Sequence, residues 1–420
     1  MKETNPCSEE FDCVIEAGKI LMESGAEIYR VEETMRHMAA SLEVNHFHAY
    51  VVNRGITASG VNCKGERVAS VTSVPETNIH LGKIEAVNAL SREIEQKKNA
   101  TAEEVATKLQ AIEYMEKPHL AAVLIAYFLG AGCFSYAIGS TALDSLCSAV
   151  IGLVMGLVLE WVGRYIKTGV LLTIIGSAVI TVLANYICLS GIGEHRGLII
   201  LGTLMLLVPG ATFTNSVREF SQNNHATGLT LLMSALLTCI AISSGVALTT
   251  DLLPFAEQMT SVFSTSIDSI WEVVGRTVMA GVGTVAFAYL FHAPKKYFLD
   301  LGILGAVSWM IYLLLAMKFD MVVFLIFVPA LFAAVMSRIL SVKRKCPITI
   351  FLSTSIFPLI PGLSFYRAIY FFMTGTTALA GAYIQSCFIS AFAIALSIVI
   401  TQEIRVRPKK HHSSSSSSAS

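Results

Sequence analysis

The chain has 420 residues, 54% hydrophobic and 14% charged, with 30 basic against 30 acidic side chains, and a mean hydropathy of +0.63. So apolar a composition excludes an ordinary soluble protein of this length, and the balanced charge removes the basic footprint expected of a nucleic-acid binder. An integral membrane protein remains, with the lipid bilayer as its first partner.

Residues 1–118 are mixed polar and apolar and contain no run long enough to cross a bilayer. The opening Met1-Lys2-Glu3-Thr4-Asn5 lacks the apolar core of a signal peptide, which keeps the N-terminus in the cytoplasm. Phe11, Val14, Ile15, Leu21 and Met22 fall at helical spacing, as do Ile28, Val31, Met35 and Met38 after Gly25-Ala26, predicting two amphipathic helices. Between Val44 and Val74 the pattern turns β-branched and alternating, with Cys63-Lys64-Gly65-Glu66 as a turn, predicting a small meander. Ile79, Leu81, Ile84, Val87 and Leu90 restore the helical period, and Thr101 with Glu104 forms a capping box for a helix that ends before Pro118. The expectation is a small α/β cytoplasmic domain over 1–118. Glu27, Arg30, Glu32, Glu33 and Arg36 read as a solvated helix face with spaced ion pairs. His46 and His48 share a strand face but have no nearby carboxylate or cysteine to complete a metal site. The nine cysteines form no CxxC, so neither a disulfide nor a structural zinc is expected.

From His119 onward ten apolar segments follow, over 119–139, 143–162, 168–190, 196–215, 226–249, 273–292, 298–316, 320–340, 347–365 and 376–400. Each has the length needed for a core of about 30 Å at about 1.5 Å per residue. Ten spans put Arg164, Lys167, Arg218, Lys295, Lys296, Arg338, Lys343, Arg344 and Lys345 inside with the basic cluster Arg405 to Lys410. Only Arg196, Lys318 and Arg367 stay outside, and Arg276 lies just within the sixth span, as the positive-inside rule requires. The loop from Thr250 to Trp271 carries no Lys or Arg and suits the outer face. Residues 403–420 read as a basic and Ser-rich tail for which disorder is expected.

Two of the spans are interrupted. Pro209-Gly210 is followed by Thr212, Phe213, Thr214, Asn215 and Arg218, and Pro361-Gly362 by Ser364, Phe365, Tyr366 and Arg367, at an offset of 152 positions. Proline removes a backbone donor and glycine loosens the helix, and in hydrocarbon such a break survives only against protein or a cavity. Paired breaks point to a transporter's substrate site. We therefore read 119–270 and 271–402 as two halves of five helices; an odd number per half makes the repeat inverted. The fold class is an α-helical polytopic membrane protein of about ten transmembrane helices, a five-plus-five inverted repeat, with the small α/β domain in front.

The candidate substrate-binding residues are Pro209, Gly210, Thr212, Asn215, Pro361, Gly362 and Ser364, whose neutral polar groups suit a small zwitterion or carboxylate; the plainer reading is that they re-satisfy the kinks. Asp144 and Asp300 begin the second span of each half and are the proton-coupling candidates, the plainer reading being helix capping. Gly152 and Gly156 form a small-xxx-small packing face. No catalytic dyad, metal set, cofactor motif or phosphate loop stands out, so neither an enzyme nor ATP drive is expected.

Ala17-Gly18, Gly25-Ala26-Glu27, Tyr29-Arg30-Val31-Glu32 and Leu81-Gly82-Lys83-Ile84-Glu85-Ala86-Val87-Asn88 resemble the N-terminal domain of the bacterial threonine/serine exporter family. With the membrane region the likeness spans residues 9 to 402, and Gly25, Glu27, Arg30 and Glu32 carry its specific motif. Where that family usually shows a Pro-Thr-Gly-Ile type strand, this chain has Asn53-Arg54-Gly55-Ile56. The resemblance implies an inner-membrane, proton-driven secondary exporter of a small hydrophilic metabolite, threonine or serine, with both termini cytoplasmic. Its alternative is a dicarboxylate of the succinate type. A reading of another class is a membrane-anchored sensor or hydrolase acting through residues 1–118. Homo-oligomerisation is left open.

Overall fold

The structure, a computed structural model, describes residues 9–252 and 269–403 apart from positions 53, 63, 75–77, 98, 99, 117, 167, 360, 361 and 374. Helix α1 (Glu9–Glu23) buries the apolar stripe read from its spacing, including Val14, Ala17, Ile20 and Leu21. It stops at Gly25, whose φ of +77° turns the chain back on itself. There Ala26 N–H donates to Leu21 O at 3.0 Å, an arrangement that favours glycine because a side chain is strained at positive φ. Helix α2 (Ile28–Ser41) follows, then β1 (Asn45–Val52), β2 (Gly55–Val61) and β3 (Arg67–Ser73), an antiparallel meander in the order β1-β2-β3. The turn between β2 and β3 is held by Asn62 Oδ1, which accepts from the N–H groups of Lys64 (3.0 Å) and Glu66 (2.9 Å). Helices α3 (Leu81–Gln96) and α4 (Ala102–Glu113) complete the segment, Thr101 Oγ1 capping α4 through Glu104 N–H at 3.4 Å. The helices cover one face of the sheet; Tyr50 and Val71 lie open on the other.

The membrane part begins with α5 (Leu120–Ala137), α6 (Ala142–Val162) and α7 (Gly169–Leu189). Then come the short α8 (Arg196–Leu204) and α9 (Gly210–Ser221), α10 (His225–Leu252), α11 (Ile270–Leu290), α12 (Phe298–Ala316) and α13 (Val322–Arg344). The short α14 (Ile348–Ser355) and α15 (Gly362–Met373), and finally α16 (Thr377–Glu403), end the fold. Among the described residues eight of these helices are long and apolar enough to cross a membrane, which makes the chain a multi-pass α-helical membrane protein. The remaining two predicted spans are each split into two short helices, and they run on to Ser221 and Met373, past the predicted ends at 215 and 365. At the first break Pro209 has φ −78° and ψ 55° and Gly210 N–H donates to Val208 O at 2.8 Å, an inverse γ-turn that takes this N–H out of the helical ladder before Phe213 N–H, donating to Pro209 O at 3.0 Å, resumes it. The second break comprises a 3-10 turn, Phe357–Leu359, and Pro361, which lies outside the described residues.

Side chains sort as a bilayer demands. Leu146, Trp161, Phe388 and Phe392 point outward, while Ser135, Ser148 and Thr203 are buried and hydrogen-bonded to one another or to backbone. At Gly152 an added Cβ would come within 2.5 Å of Ala131 Cβ, so the small face of α6 lets α5 approach closely.

The two sets of six helices pack alike. Within the first, α5 meets α6 and α8, α6 meets α7 and α8, and α10 meets α7 and α9; α11 to α16 repeat each pairing in the same order. The sets join through α5 and α11, and through the crossed pairs α10 with α15 and α16 with α9. Helices α1 to α4 do not close a core of their own: theirs continues through Ala288, Tyr297, Leu301, Leu304, Ile350 and Phe351 of the membrane part.

Candidate functional site

The turn at Pro209 redirects α9 so that Asn215, Arg218 and Glu219 meet the start of α2. Glu219 Oε1 accepts the N–H of Ile28 at 2.9 Å, putting a carboxylate at the positive end of that helix. Asn215 Nδ2 donates to Gly25 O at 3.4 Å. The carboxylate of Glu27 is ion-paired with Arg218 and accepts from Thr349 Oγ1 of α14 at 2.6 Å, while Arg218 Nη1 also reaches Thr349 Oγ1 at 3.3 Å. Arg30 Nε lies 3.9 Å from Glu27 Oε2, and Arg30 Nη2 donates to Tyr29 OH at 2.9 Å. Burial and then the neighbouring Glu27 push the Tyr29 phenol above its ordinary pKa, so it stays neutral. Glu27 and Arg218 are each 1% exposed. Two charges so deep persist only as partners.

The pairing is incomplete. Glu27 Oε2, Arg30 Nε, Asn215 Oδ1, Arg218 Nε and Gln222 Oε1 are buried and make no hydrogen bond within the protein. Arg218 and Gln222 of these also line a cavity of about 260 Å³. Tyr29 of α2, Arg218 and Gln222 at α9, Arg338 of α13, Ile348 and Leu352 of α14, and Thr401 and Gln402 of α16 line it. Arg338 Nη1 donates to Thr401 O at 3.0 Å, and Ser221 Oγ to Gln402 Oε1 at 3.0 Å. The space lies just below the range of about 300–1,000 Å³ usual for small-molecule sites. Its walls come from both sets of membrane helices, with the N-terminal segment as a cover.

Among the residues singled out from the sequence, Gly25, Glu27, Arg30 and Asn215 are brought together here. Glu32 serves a different end: its Oε1 accepts Val51 N–H at 3.1 Å and ties α2 to β1. Pro209 and Gly210 form the turn itself, Thr212 is half-buried on α9, and Thr214 Oγ1 returns to Gly210 O at 3.0 Å. Gly362 opens α15 and Ser364 is half-buried on it. Asp144, fully buried, accepts from the N–H groups of Glu194 (2.9 Å) and His195 (3.4 Å), with His195 Nδ1 at 2.9 Å from its other oxygen. Asp300 takes both arms of Arg344, at 2.9 and 3.1 Å. Each of these two carboxylates thus begins the second helix of its set and anchors the stretch just before the split segment. The reading of Glu27 to Arg36 as a solvated face holds for Glu33 and Arg36 but is corrected at Glu27, which turns inward because Arg218 and Thr349 await it. Glu219, Thr349 and Arg338 were not singled out as site residues, although the charged pair Arg218-Glu219 directly after an apolar break was a visible signal.

A family model described as "Putative threonine/serine exporter" matches residues 12–253, and one described as "Threonine/Serine exporter, ThrE" matches residues 276–404. The chain belongs to the threonine/serine exporter family. None of the curated proteins and none of the solved structures compared matches it. In this exporter the first matched region ends just after α10 and the second begins within α11, so each region holds nearly the whole of one set of membrane helices. The buried cluster draws Glu27 and Arg218 from the first and Thr349 from the second, joining the two matched regions.

Proposed function

We propose that the protein is a proton-driven secondary exporter of threonine and serine in the bacterial cytoplasmic membrane, with both termini inside. The observation that carries this reading is the cavity walled by both helix sets and lined by Arg218 and Arg338. A carboxylate finds two guanidinium groups there, and an ammonium finds the buried Oε1 of Gln222, which makes no hydrogen bond within the protein. A dicarboxylate would satisfy the arginines and leave that acceptor unmet, which favours the amino acid over the succinate-type alternative. The repeated packing, the matched anchors at Asp144 and Asp300 and the two splits support a ten-span, inverted five-plus-five arrangement, with the split segments as the fourth and ninth spans. The N-terminal segment, as a cytoplasmic domain, would then rest on the inner end: its partners Arg218, His292, Lys296 and Thr349 all belong to the end that the positive-inside pattern assigns to the cytoplasm. Protons would enter by Asp144 and His195 at the opposite end, with Asp300 as the inner counterpart.

Counterflow in proteoliposomes tests this. Preloaded threonine should drive uptake of labelled threonine and serine but not of succinate, and Arg338→Gln should weaken it. Succinate counterflow of equal size would overturn the substrate assignment.

A further inference from the structure

We propose that Glu27 is a built-in stand-in for the substrate's carboxylate: when α2 is docked, Glu27 fills the position on Arg218 that a substrate carboxylate takes, so substrate loading and docking exclude each other. This rests on the cavity being the substrate site.

Arg218 is at once a lining cation of the cavity and the partner of Glu27. An exporter's site must stand empty once per cycle, and an empty site would leave a guanidinium 1% exposed with no counter-charge. Such a state is strongly unfavourable. Exchanging one carboxylate for another keeps Arg218 neutralised at every stage. The docked pair is also poorly fitted to be permanent. Glu27 Oε2 and Arg218 Nε find no hydrogen-bond partner, whereas a free carboxylate can present two oxygens to a guanidinium fork. The contacts that would part together are grouped on one short stretch: Gly25 O with Asn215, the Glu27 carboxylate with Arg218 and Thr349, and Ile28 N–H with Glu219. Losing Glu27 from Arg218 therefore loosens the whole seating of α2 on α9.

The test uses the full-length protein in detergent. Threonine and its methyl ester, which lacks the carboxylate, are titrated into wild type, Glu27→Gln and Arg338→Gln, with melting temperature as the check on folding. Amide exchange at Leu81 and Gly82, whose N–H groups donate to Phe291 O and His292 O across the same seam, reports docking. Glu27→Gln should bind threonine about tenfold more tightly, the scale of one hydrogen bond to a charged group, and gain nothing for the ester. In wild type, saturating threonine should speed exchange at Leu81 and Gly82. A folded Glu27→Gln with unchanged or weaker threonine affinity overturns the proposal. Should that variant not fold, wild-type exchange decides alone, and unchanged protection under saturating threonine overturns it. The two readings fail differently. Threonine affinity indifferent to both Arg338→Gln and Glu27→Gln removes the cavity as substrate site and the stand-in with it, whereas loss with Arg338→Gln and no gain with Glu27→Gln removes the stand-in alone.

Discussion

His80 and His292 stack face to face, ring centroids 4.4 Å apart and planes 18° apart, one from each side of the seam between the N-terminal segment and the membrane helices. His80 also accepts Lys83 N–H on Nδ1 at 3.1 Å, which caps α3 and requires the neutral ring. Burial, then the facing His292 and Lys83, bring His80 down from an ordinary 6.5 to about 4, and burial also lowers His292. A docked pKa below the undocked one means that the open form binds more protons between those values, so docking is favoured above about pH 6.5 and weakens as pH falls toward 4. Amide exchange at Leu81 and Gly82, corrected for its intrinsic pH dependence, should rise between pH 7 and 5, and His80→Asn should flatten that rise. Protection that stays constant over the range contradicts the expectation.

The seam has a steric probe as well. A Cβ on Gly82 would lie 2.8 Å from His292 O, too close for a carbonyl that cannot move freely. Gly82→Ala should therefore force α3 away from α11 while leaving α3 itself helical. The two hydrogen bonds at stake contribute about 0.5–1.5 kcal/mol each, so exchange at Leu81 should accelerate by roughly tenfold or more. Wild-type exchange rates in this variant would mean that the close approach is not rigid.

Asp144→Asn should abolish gradient-driven export yet leave threonine exchange measurable, because exchange moves no net proton. Asparagine keeps one acceptor for the Glu194 and His195 N–H groups, so the loop before α8 should largely survive. Equal loss of both activities would assign Asp144 to anchoring alone.

Replacing Pro209-Gly210 by Ala-Ala should join α8 to α9. Alanine is the better helix former by about 3 kcal/mol against proline and about 1 against glycine, so the protein should keep or raise its melting temperature. The polar end of α9 would swing off α2, and export should fail. Wild-type transport by a stable Ala-Ala variant would falsify the break as part of the site.

Orientation is open to impermeant thiol labelling. Single cysteines at Lys318 should react from outside, and those at Lys295 and Lys343 only after permeabilisation. Reaction of position 295 in intact cells would invert α11 to α16 and end the inverted-repeat reading.

Local features were legible in the sequence because local rules produce them. The stripes of α1 and α2, the meander, the Thr101 cap and the break at Pro209 each follow from neighbours within a few positions. The buried cluster was not legible, because Glu27 and Arg218 stand 191 positions apart and no period links them. Glu27 three residues before Arg30 is also the pattern of a solvated ion pair, and Thr349 looks like any hydroxyl near a helix start. Asp144 divides the difference. Its N–H is held by Thr141 Oγ1 at 3.1 Å, as a first-turn residue's should be, yet its carboxylate reaches a loop 50 positions on.

The core that α1 to α4 share with Tyr297, Leu301, Ile350 and Phe351 also imposes an order in time. Residues 9–113 leave the ribosome first, but the last of the side chains they pack against is encoded about 240 residues later. At about 5–20 residues per second, synthesis of that stretch takes on the order of tens of seconds. Until α11 and α12 follow, the apolar sides of Leu81, Ile84 and Val87 have none of the membrane helices of this shared core to meet, and the core closes only with α14. The nascent N-terminal segment thus keeps part of its apolar face uncovered until α14 is inserted, and the same segment released alone would carry that face into water.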